Sequence, residues 1–466
     1  MNFSLWQISP VILFMIFIAP VVIVLFSLTG DYSDNWSHLY NYVLLGYIKN
    51  SAYLVLGVSF SVFILGVGTA WIITNYDFTF KNFFEWALIL PLAVPPYILA
   101  YTFTGLFDTF GTANNAIREI FDLSRDFTLF PKVRNVPGAI IVFSFTLYPY
   151  VYLVTRMAFI NQSRSIIEAG RTLGLNKFEV FYKLAIPMIR PAIIGGLMLV
   201  VMETISDFGA VDHFAISTFT TGIFRTWYGM YDIETAMQLA SLLLLFAITL
   251  IIIERYSRRN ASYSNAMSLY RPLSHEKLRG FSNFLAFSAC FIPIFVGFIL
   301  PVVELTYWAL NYKLDFFNEK FISTAWNTFY LAIIAAFFCS VLAILINFSI
   351  RYKSNNYLKF MSSFLTVGYA VPGLILAIGV MQMLTFIDKS FVSNTTNIVF
   401  TGSIFGLVLA YIIKSYALSN STIDAGYQRI NERIDDVART LKTSGWSLLS
   451  HVHLPLLKTS FLTSML

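Results

Sequence analysis

Two carboxylates stand in an otherwise apolar stretch of the chain, Glu203 and Asp207. Four residues make about one turn of a helix, so both side chains are expected on the same helix face. Ionisable residues are costly inside an apolar span, which makes both of them functional candidates. Carboxylate oxygens suit hard cations, but two of them do not make a metal site. Three roles stay open: gating or partner docking, a structural hydrogen-bond network, and direct contact with an ion.

Other chemistry is not indicated by the residue pattern. The sequence contains no G-x-x-x-x-G-K-[ST] phosphate loop, no nucleophile elbow, no metal-ligand cluster and no exposed catalytic carboxylate pair in a loop. We therefore expect no catalytic residue, no bound metal and no cofactor. Cys290 and Cys339 both lie in apolar segments, where two isolated thiols are expected to pack rather than to form a disulfide or bind metal.

The composition identifies the elements that must position these residues as membrane helices. Hydrophobic residues make up 57% of the chain and charged residues 12%, which is too little polar surface for a soluble protein of 466 residues. The first apolar stretch has no basic leader and no cleavage site, so we expect a retained helix. We predict an all-α membrane protein with ten complete spans and an interrupted one that begins at 457. The ten spans cover roughly 9–29, 52–74, 84–106, 138–158, 188–208, 236–254, 284–310, 329–350, 360–384 and 398–419.

The distribution of cations predicts the orientation. With the N-terminus inside, 21 Lys and Arg residues fall on the cytoplasmic side and 9 on the outer side, while Lys414 lies within a span. The positive-inside rule therefore predicts a multi-pass membrane protein with a cytoplasmic N-terminus. The same asymmetry explains the net charge of +6, so no nucleic-acid partner is expected.

Corresponding motifs recur along the chain at nearly constant spacing. Asn50-Ser51 matches Asn327-Thr328, and 93–100 matches 370–377, both 277 positions later. An even number of spans separates the copies, which indicates two parallel repeats in tandem. The predicted domains are a first transmembrane repeat over 1–259, a cytoplasmic linker over 260–281 and a second transmembrane repeat over 282–466.

The third span of each repeat is interrupted by proline. The first repeat has Pro95 and Pro96, and the second repeat has Pro372. Proline removes a backbone donor and clashes with the preceding turn, so we predict that the helices break there. Membrane proteins tolerate such breaks where neighbouring helices or a water-lined cavity satisfy the freed backbone groups. The breaks are candidates for the transport pathway, and a packing kink without a transport role is the alternative.

One polar loop in each repeat carries the same ordered set of residues. In the first loop, 161–187, Gly170 allows another backbone to approach, Gly174 allows the positive φ that ends a helix, and Asn176 is a predicted N-cap. The residues expected to carry the function of the loops are Glu168, Ala169, Gly170, Gly174, Phe178, Phe181 and Pro187 in the first loop, and Asp436, Ala438, Trp446, Leu449 and Pro455 in the second, 429–455.

Aromatic and apolar side chains recur at helical spacing in both loops, so we expect them to present an apolar knob to a partner. Pro187 and Pro455 suit the first turn of the next membrane helix. Ser444 is the predicted cap in the second loop. Lys442 stands there where the first loop has glycine, and a left-handed turn at this residue would cost on the order of 1 kcal/mol.

These paired loops resemble the EAA loops of ABC-importer permeases, whose second short helix is the coupling helix that inserts into the ATPase subunit. The stretches Glu203–Val211 and Thr218–Trp227 are similar to segments of fused iron(III)-type permeases. The resemblance implies the transmembrane fold of type I ABC importers. It also implies import of iron(III), separate ATPase subunits that form a homodimer and use the ATP, and a periplasmic or surface solute-binding protein as partner. Because Asp436-Val437 and Lys442 depart from the family pattern, docking through the second loop is expected to be altered or weaker.

Several other functions fit the sequence, and the second repeat is shorter than the first. An ABC permease for thiamine, sulfate or a polyamine, a secondary transporter and a polytopic membrane enzyme are the alternatives. From Pro187 the first repeat runs 72 residues to Arg259, whereas 11 residues follow Pro455. We therefore expect the second repeat to be incomplete in its fifth helix, as in a truncated or split gene product.

Overall fold

The computed structural model describes residues 5–124, 127–160, 170, 172, 174–258, 276–311, 318–353, 356–392 and 399–466. The regular secondary structure of this part of the chain is helical except for a two-residue parallel pairing of Tyr76–Asp77 with Glu276–Lys277. A helix satisfies its backbone hydrogen bonds within one segment, which the interior of a bilayer requires. The predicted all-α class is confirmed.

The predicted spans agree with the helices of the described residues. Eight of these helices are long and apolar enough to cross a membrane, and two bent pairs raise the number to as many as ten. The bent pairs are Lys81–Ala93 with Pro96–Phe121, at 88°, and Val180–Met188 with Arg190–Ser206, at 72°. The eight spans are Ile8–Thr29, Asn35–Asn75, Val136–Ile160, Ile233–Ile253, Phe281–Asn311, Glu319–Tyr352, Gly373–Ser390 and Ile404–Gln428.

The chain divides into two compact units that do not coincide with the sequence repeats. The first unit contains Met1–Tyr32, Ile233–Leu244 and Asp315–Leu466, and the second contains Ser33–Asp232 and Leu245–Leu314. The first unit consists mostly of the second sequence half but includes the first membrane helix of the first half. The second unit consists mostly of the first half but includes the first membrane helix of the second half. The repeat boundaries at 259 and 282 stay predictions.

In the first unit, the N-terminal helix packs on helices of the second sequence half. Phe17 lies edge-on to Tyr416 at 5.5 Å, and Trp6 to Phe348 at 4.7 Å. Asn318 caps its long helix by accepting from the amide of Lys320 at 3.0 Å. The helices of this unit are Leu5–Phe26, Glu319–Tyr352, Asn356–Leu365, Gly373–Ile387, Ile404–Gln428, Glu432–Thr440, Trp446–Leu448 and Leu454–Met465, with the wider π turns Asp388–Val392 and Leu449–His453 and the 3-10 turns Ser27–Thr29 and Thr366–Tyr369.

In the second unit, the core lies between the helices Leu44–Asn75, Val136–Ile160 and Arg190–Ser206. Val62, Val151 and Val200 are fully buried there. The remaining helices are Asn35–His38, Lys81–Ala87, Pro96–Phe107, Thr112–Phe121, Lys177–Glu179, Ile186–Met188, Gly209–His213, Phe219–Phe224, Phe281–Ile294 and Leu300–Asn311, with the π turns Leu39–Val43, Val180–Ala185, Arg225–Gly229 and Phe295–Ile299 and the 3-10 turn Leu90–Ala93. Ile233–Arg258 contributes to both units.

Candidate functional site

The first loop packs around Gly170. Glu168 and Ala169 lie outside the described residues, so their predicted roles stay predictions. Gly170 is buried, and its carbonyl accepts from the amide of Leu175 at 3.1 Å. A Cβ at this position would lie 2.5 Å from the Cδ1 of Leu184. Gly170 is therefore approached closely by the side chain of Leu184 from the following short helix, and not by another backbone as predicted.

A capping box starts the second short helix of this loop. Gly174 has a φ of +85°, as predicted. The Oδ1 of Asn176 accepts from the amide of Glu179 at 2.8 Å, and the Oε2 of Glu179 accepts from the amide of Asn176 at 3.0 Å. Asn176 is therefore the N-cap, as predicted. Lys183 donates to Glu179 at 2.8 Å, and this bond, followed by the Asn176 amide, lowers the pKa of Glu179.

Two aromatic side chains of the same helix face outward, and a third faces the protein. Phe178 is 73% exposed and Tyr182 is 61% exposed, with their rings stacked at 6.4 Å. Phe181 instead packs on the ring of Trp71 at 5.0 Å. The prediction that Phe181 forms part of the outward knob was wrong. Tyr182 takes its place because residues four apart share a helix face, a signal that the sequence already contained.

The prolines that follow the loops differ in their positions. Pro455 lies in the first turn of Leu454–Met465, as predicted. Pro187 lies in the short helix Ile186–Met188, and the chain bends before the membrane helix begins at Arg190 with Pro191 in its first turn. Pro187 therefore lies about one turn before the membrane helix, and not in its first turn as predicted.

The second loop follows the same plan with different local chemistry. Ala438 is buried at the position equivalent to Gly170, whereas Asp436 is exposed. Lys442 adopts a φ of +61°, so the predicted left-handed turn forms without glycine. The N-cap of the short helix is Gly445, at a φ of +54°, and the side chain of Ser444 makes no capping bond. The predicted cap at Ser444 was wrong, because a glycine in this unusual backbone conformation starts the helix.

The apolar residues of the second loop are divided between surface and interior. Trp446 is 64% exposed, and its ring contacts the ring of Trp6 at 4.9 Å. Leu449 is 2% exposed. Leu449 is therefore a packing residue rather than part of an outward knob, and the outward apolar group of this short helix is Trp446.

Three charged or titratable residues that were not predicted as site residues lie together, two of them in the second loop and one at the end of the helix Glu319–Tyr352. Asp435 accepts from the Nε of Arg351 at 2.6 Å, and its Oδ1 lies 3.0 Å from the Nε2 of His453. Burial lowers the pKa of His453, and the nearby Asp435 carboxylate opposes that shift. Arg351 and Asp435 are 84 positions apart, so no short-range spacing signal could have linked them.

Glu203 and Asp207 do not share a helix face. The membrane helix ends at Ser206, and Asp207 has an extended backbone with a ψ of 135°. Its Oδ1 accepts from the amides of Ala210 and Val211 at 2.9 and 3.3 Å. The expectation of one continuous helical turn was wrong. Asp207 instead caps the short helix Gly209–His213, which is the kind of contact that the structural alternative requires.

The break at Pro95 and Pro96 leads into a cavity of about 700 Å³ in the second unit. The new helix Pro96–Phe107 packs beside Gly209–His213. Thr104 Oγ1 lies 3.0 Å from the Nε2 of His213. The predicted helix break is confirmed. The cavity is lined by Tyr101, Thr104, Gly105, Phe110, Thr112, Asn115, Ala116, Glu119, Arg134, His213, Tyr307 and Trp308, a set that includes neither Glu203 nor Asp207.

The break at Pro372 is stabilised by a lysine from another membrane helix. The chain leaves helical geometry after Tyr369, and a new helix begins at Gly373. The ammonium group of Lys414 donates to the carbonyls of Tyr369 and Val371 at 2.8 and 3.0 Å. An intramembrane cation thus satisfies carbonyls that the break frees, as a bilayer interior requires.

Part of the chain matches a family model. Residues 62–260 match the model described as binding-protein-dependent transport system inner membrane component. This segment includes the first loop and its flanking membrane helices. A multi-pass inner-membrane protein agrees with both the match and the helices.

Several permease proteins are similar to this chain. It is 25% identical to the Fe(3+)-transport system permease protein FbpB 2 of Haemophilus influenzae over 88% of this chain and 75% of that protein. It is 24% identical to the putative ferric transport system permease protein FbpB 1 of the same organism, over 81% of this chain and 60% of that protein. The sulfate transport system permease protein CysT of Salmonella typhimurium is 27% identical over 42% of this chain and 72% of that protein.

Proposed function

We propose that this chain, which carries the inner-membrane component domain of binding-protein-dependent transport systems, is the permease subunit of an ABC importer for iron(III). The observation that carries the proposal is the similarity to Fe(3+)-transport permeases along most of the chain. The similarity to the sulfate permease covers less than half of it. Sulfate is therefore the second candidate cargo, and thiamine or a polyamine follow.

In this proposal the chain forms the translocation pathway, while separate ATPase subunits, as a homodimer, use the ATP. The two loops are the docking elements for these subunits. Phe178 and Tyr182 form an exposed aromatic pair on a helix that is capped at its start, so they stay in place when a partner groove receives them. Trp446 is the corresponding contact of the second loop.

The proposed orientation has the N-terminus and both loops in the cytoplasm, with a solute-binding protein docking on the outer side. The excess of cations on the loop side supports this orientation. Within the first unit, the ring contact between Trp6 and Trp446 brings the N-terminus and the second loop to the same side. In this topology, the cavity beside His213 lies toward the outer side.

Disulfide or bifunctional crosslinking tests the docking role. Both native thiols, Cys290 and Cys339, are buried, so a Phe178→Cys variant presents one accessible thiol among the described residues. We expect Phe178→Cys to crosslink to the ATPase subunit, and Phe181→Cys, which faces Trp71, to crosslink much less. Equal crosslinking at both positions, or none at either in an intact complex, contradicts the docking assignment.

Uptake measurements test the cargo. Membrane vesicles with the chain, its ATPase and its binding protein are supplied with radioactive iron(III) or sulfate. ATP-dependent accumulation of iron supports the proposal. Accumulation of sulfate without iron would replace the cargo while keeping the permease assignment, and uptake independent of ATP would favour a secondary transporter.

A further inference from the structure

The second loop is joined to the membrane helix Glu319–Tyr352 by a buried ionic cluster. Asp435 belongs to the loop helix Glu432–Thr440, and Arg351 lies in the last turn of the membrane helix. The Oδ2 of the Asp435 carboxylate accepts from the Nε of Arg351 at 2.6 Å, and its Oδ1 lies 3.0 Å from the Nε2 of His453. One carboxylate therefore holds the membrane helix and both ends of the loop.

The guanidinium group of Arg351 extends the cluster to a second membrane helix. Its Nη1 donates to the carbonyls of Tyr427 and Ile430 at 3.0 and 2.9 Å, and its Nη2 donates to the carbonyl of Asn431 at 3.2 Å. These carbonyls lie at and just beyond the C-terminus of Ile404–Gln428, where helix ends leave acceptors unsatisfied. The connection between this helix and the loop is consequently fixed as well.

Aromatic packing encloses the cluster. His453 is 0% exposed, with its ring edge-on to Phe348 at 5.3 Å and tilted toward Tyr427 at 5.5 Å. The Nδ1 and Nε2 of His453 and the Oδ1 of Asp435 are all buried without a partner in hydrogen-bond geometry among the described residues, so the 3.0 Å between Nε2 and Oδ1 is a close polar contact. Arg439 adds a cation-π contact from the loop to Tyr352 at 5.5 Å.

The first half has no equivalent set of residues. The positions that align with Arg351, Asp435 and His453 are Thr74, Ile167 and Ala185, of which none is charged. Breaking a buried pair costs more than an exposed one because a charge is left without compensation. The second loop, which has the less favourable turn at Lys442, thus carries charged or titratable residues at three positions where the first half has none.

We infer that Asp435 clamps the second loop to the end of Glu319–Tyr352, so that a displacement of the loop by the ATPase moves this membrane helix with it. The inference rests on the proposed function and deepens it. Asp435 is a positioning residue, since its side chain is buried and acts through Arg351 and His453. In the described part of the first loop, Phe181 packs on Trp71 of the helix Leu44–Asn75.

The test compares ATP hydrolysis with uptake in proteoliposomes that hold the whole complex and loaded binding protein. We expect Asp435→Asn to lower the cargo imported per ATP at least tenfold while hydrolysis continues, and Asp435→Glu to restore part of the ratio. Asp424→Asn is the control, because its carboxylate bonds to Gln428 on its own helix. The second variant is His453→Ala, which introduces the residue type of the aligned position in the first half, Ala185. If Asp435→Asn does not assemble, the cargo imported per ATP is measured in His453→Ala instead.

A parallel fall of hydrolysis and uptake with the amount of folded complex would make the cluster merely structural and overturn the inference. An unchanged ratio in both variants would also overturn it. These outcomes differ from failure of the proposed function, in which the unmodified complex shows no ATP-driven uptake at all.

Discussion

The two loops provide a matched pair of backbone substitutions. Gly174 and Lys442 occupy equivalent positions and both have positive φ, +85° and +61°. An added Cβ at Gly174 would meet nothing within 4 Å, so Gly174→Ala changes backbone energy without a clash. We expect Gly174→Ala to destabilise the first loop and Lys442→Gly to stabilise the second.

The magnitude follows from two opposing contributions. A left-handed conformation costs a residue with a Cβ about 1–2 kcal/mol. Glycine loses about 0.5–1 kcal/mol more conformational entropy on folding, which offsets roughly half of that cost. The net change is about 0.5–1 kcal/mol in each loop, with opposite signs, and corresponds to about a two- to fivefold change in a local opening equilibrium.

Hydrogen exchange of the loop amides measures this change. Peptides that cover 176–185 should exchange about two- to fivefold faster in Gly174→Ala, and peptides that cover 446–453 more slowly in Lys442→Gly by a similar factor. In each variant the untouched loop is the internal control. Slower exchange in Gly174→Ala, or faster exchange in Lys442→Gly, would refute the reasoning.

Three further predictions concern side chains. Asn176→Ala should cost the first loop about 1 kcal/mol and increase proteolysis there, whereas Asn176→Asp, which keeps an acceptor for the Glu179 amide, should not. Asp207→Ala should lower the thermal stability of the purified chain because a helix cap is lost, while Asp207→Asn should retain it; normal stability with lost uptake would favour gating instead. The pKa of His453 is lowered in the folded state, so the unfolded state binds more protons as the pH falls. The second loop should therefore lose protection from hydrogen exchange below a pH of about 6.5. His453→Ala should remove this pH dependence.

Local features of the fold were predictable from the sequence because short segments determine them. Hydropathy over about twenty residues is enough to locate a membrane helix, and all ten predicted stretches overlap the helices and bent pairs. The breaks at Pro96 and Pro372, the cap at Asn176 and the positive φ at Gly174 depend on the residue itself and its nearest neighbours. The repeated order of the loop residues was equally visible along the chain.

Side-chain direction within the loops needed the tertiary structure. Phe178 and Phe181 both fit an amphipathic pattern, but the position of Trp71 decides that Phe181 turns inward. The end of the helix at Ser206 likewise gave Asp207 a capping role that spacing alone had placed on a membrane face.

Long-range partners are what the sequence by itself left undetermined. Hydropathy predicts that Leu5–Phe26 crosses the membrane but not that it packs within the unit of the second half, since every apolar helix offers a similar surface. In the sequence, Asp435 and Arg351 look like ordinary charged residues of loops and helix ends. Only the packing of the helices places them in one buried ion pair. Apolar patterning thus determined which segments enter the bilayer, whereas the packing of those segments decided which polar groups lost water and had to pair.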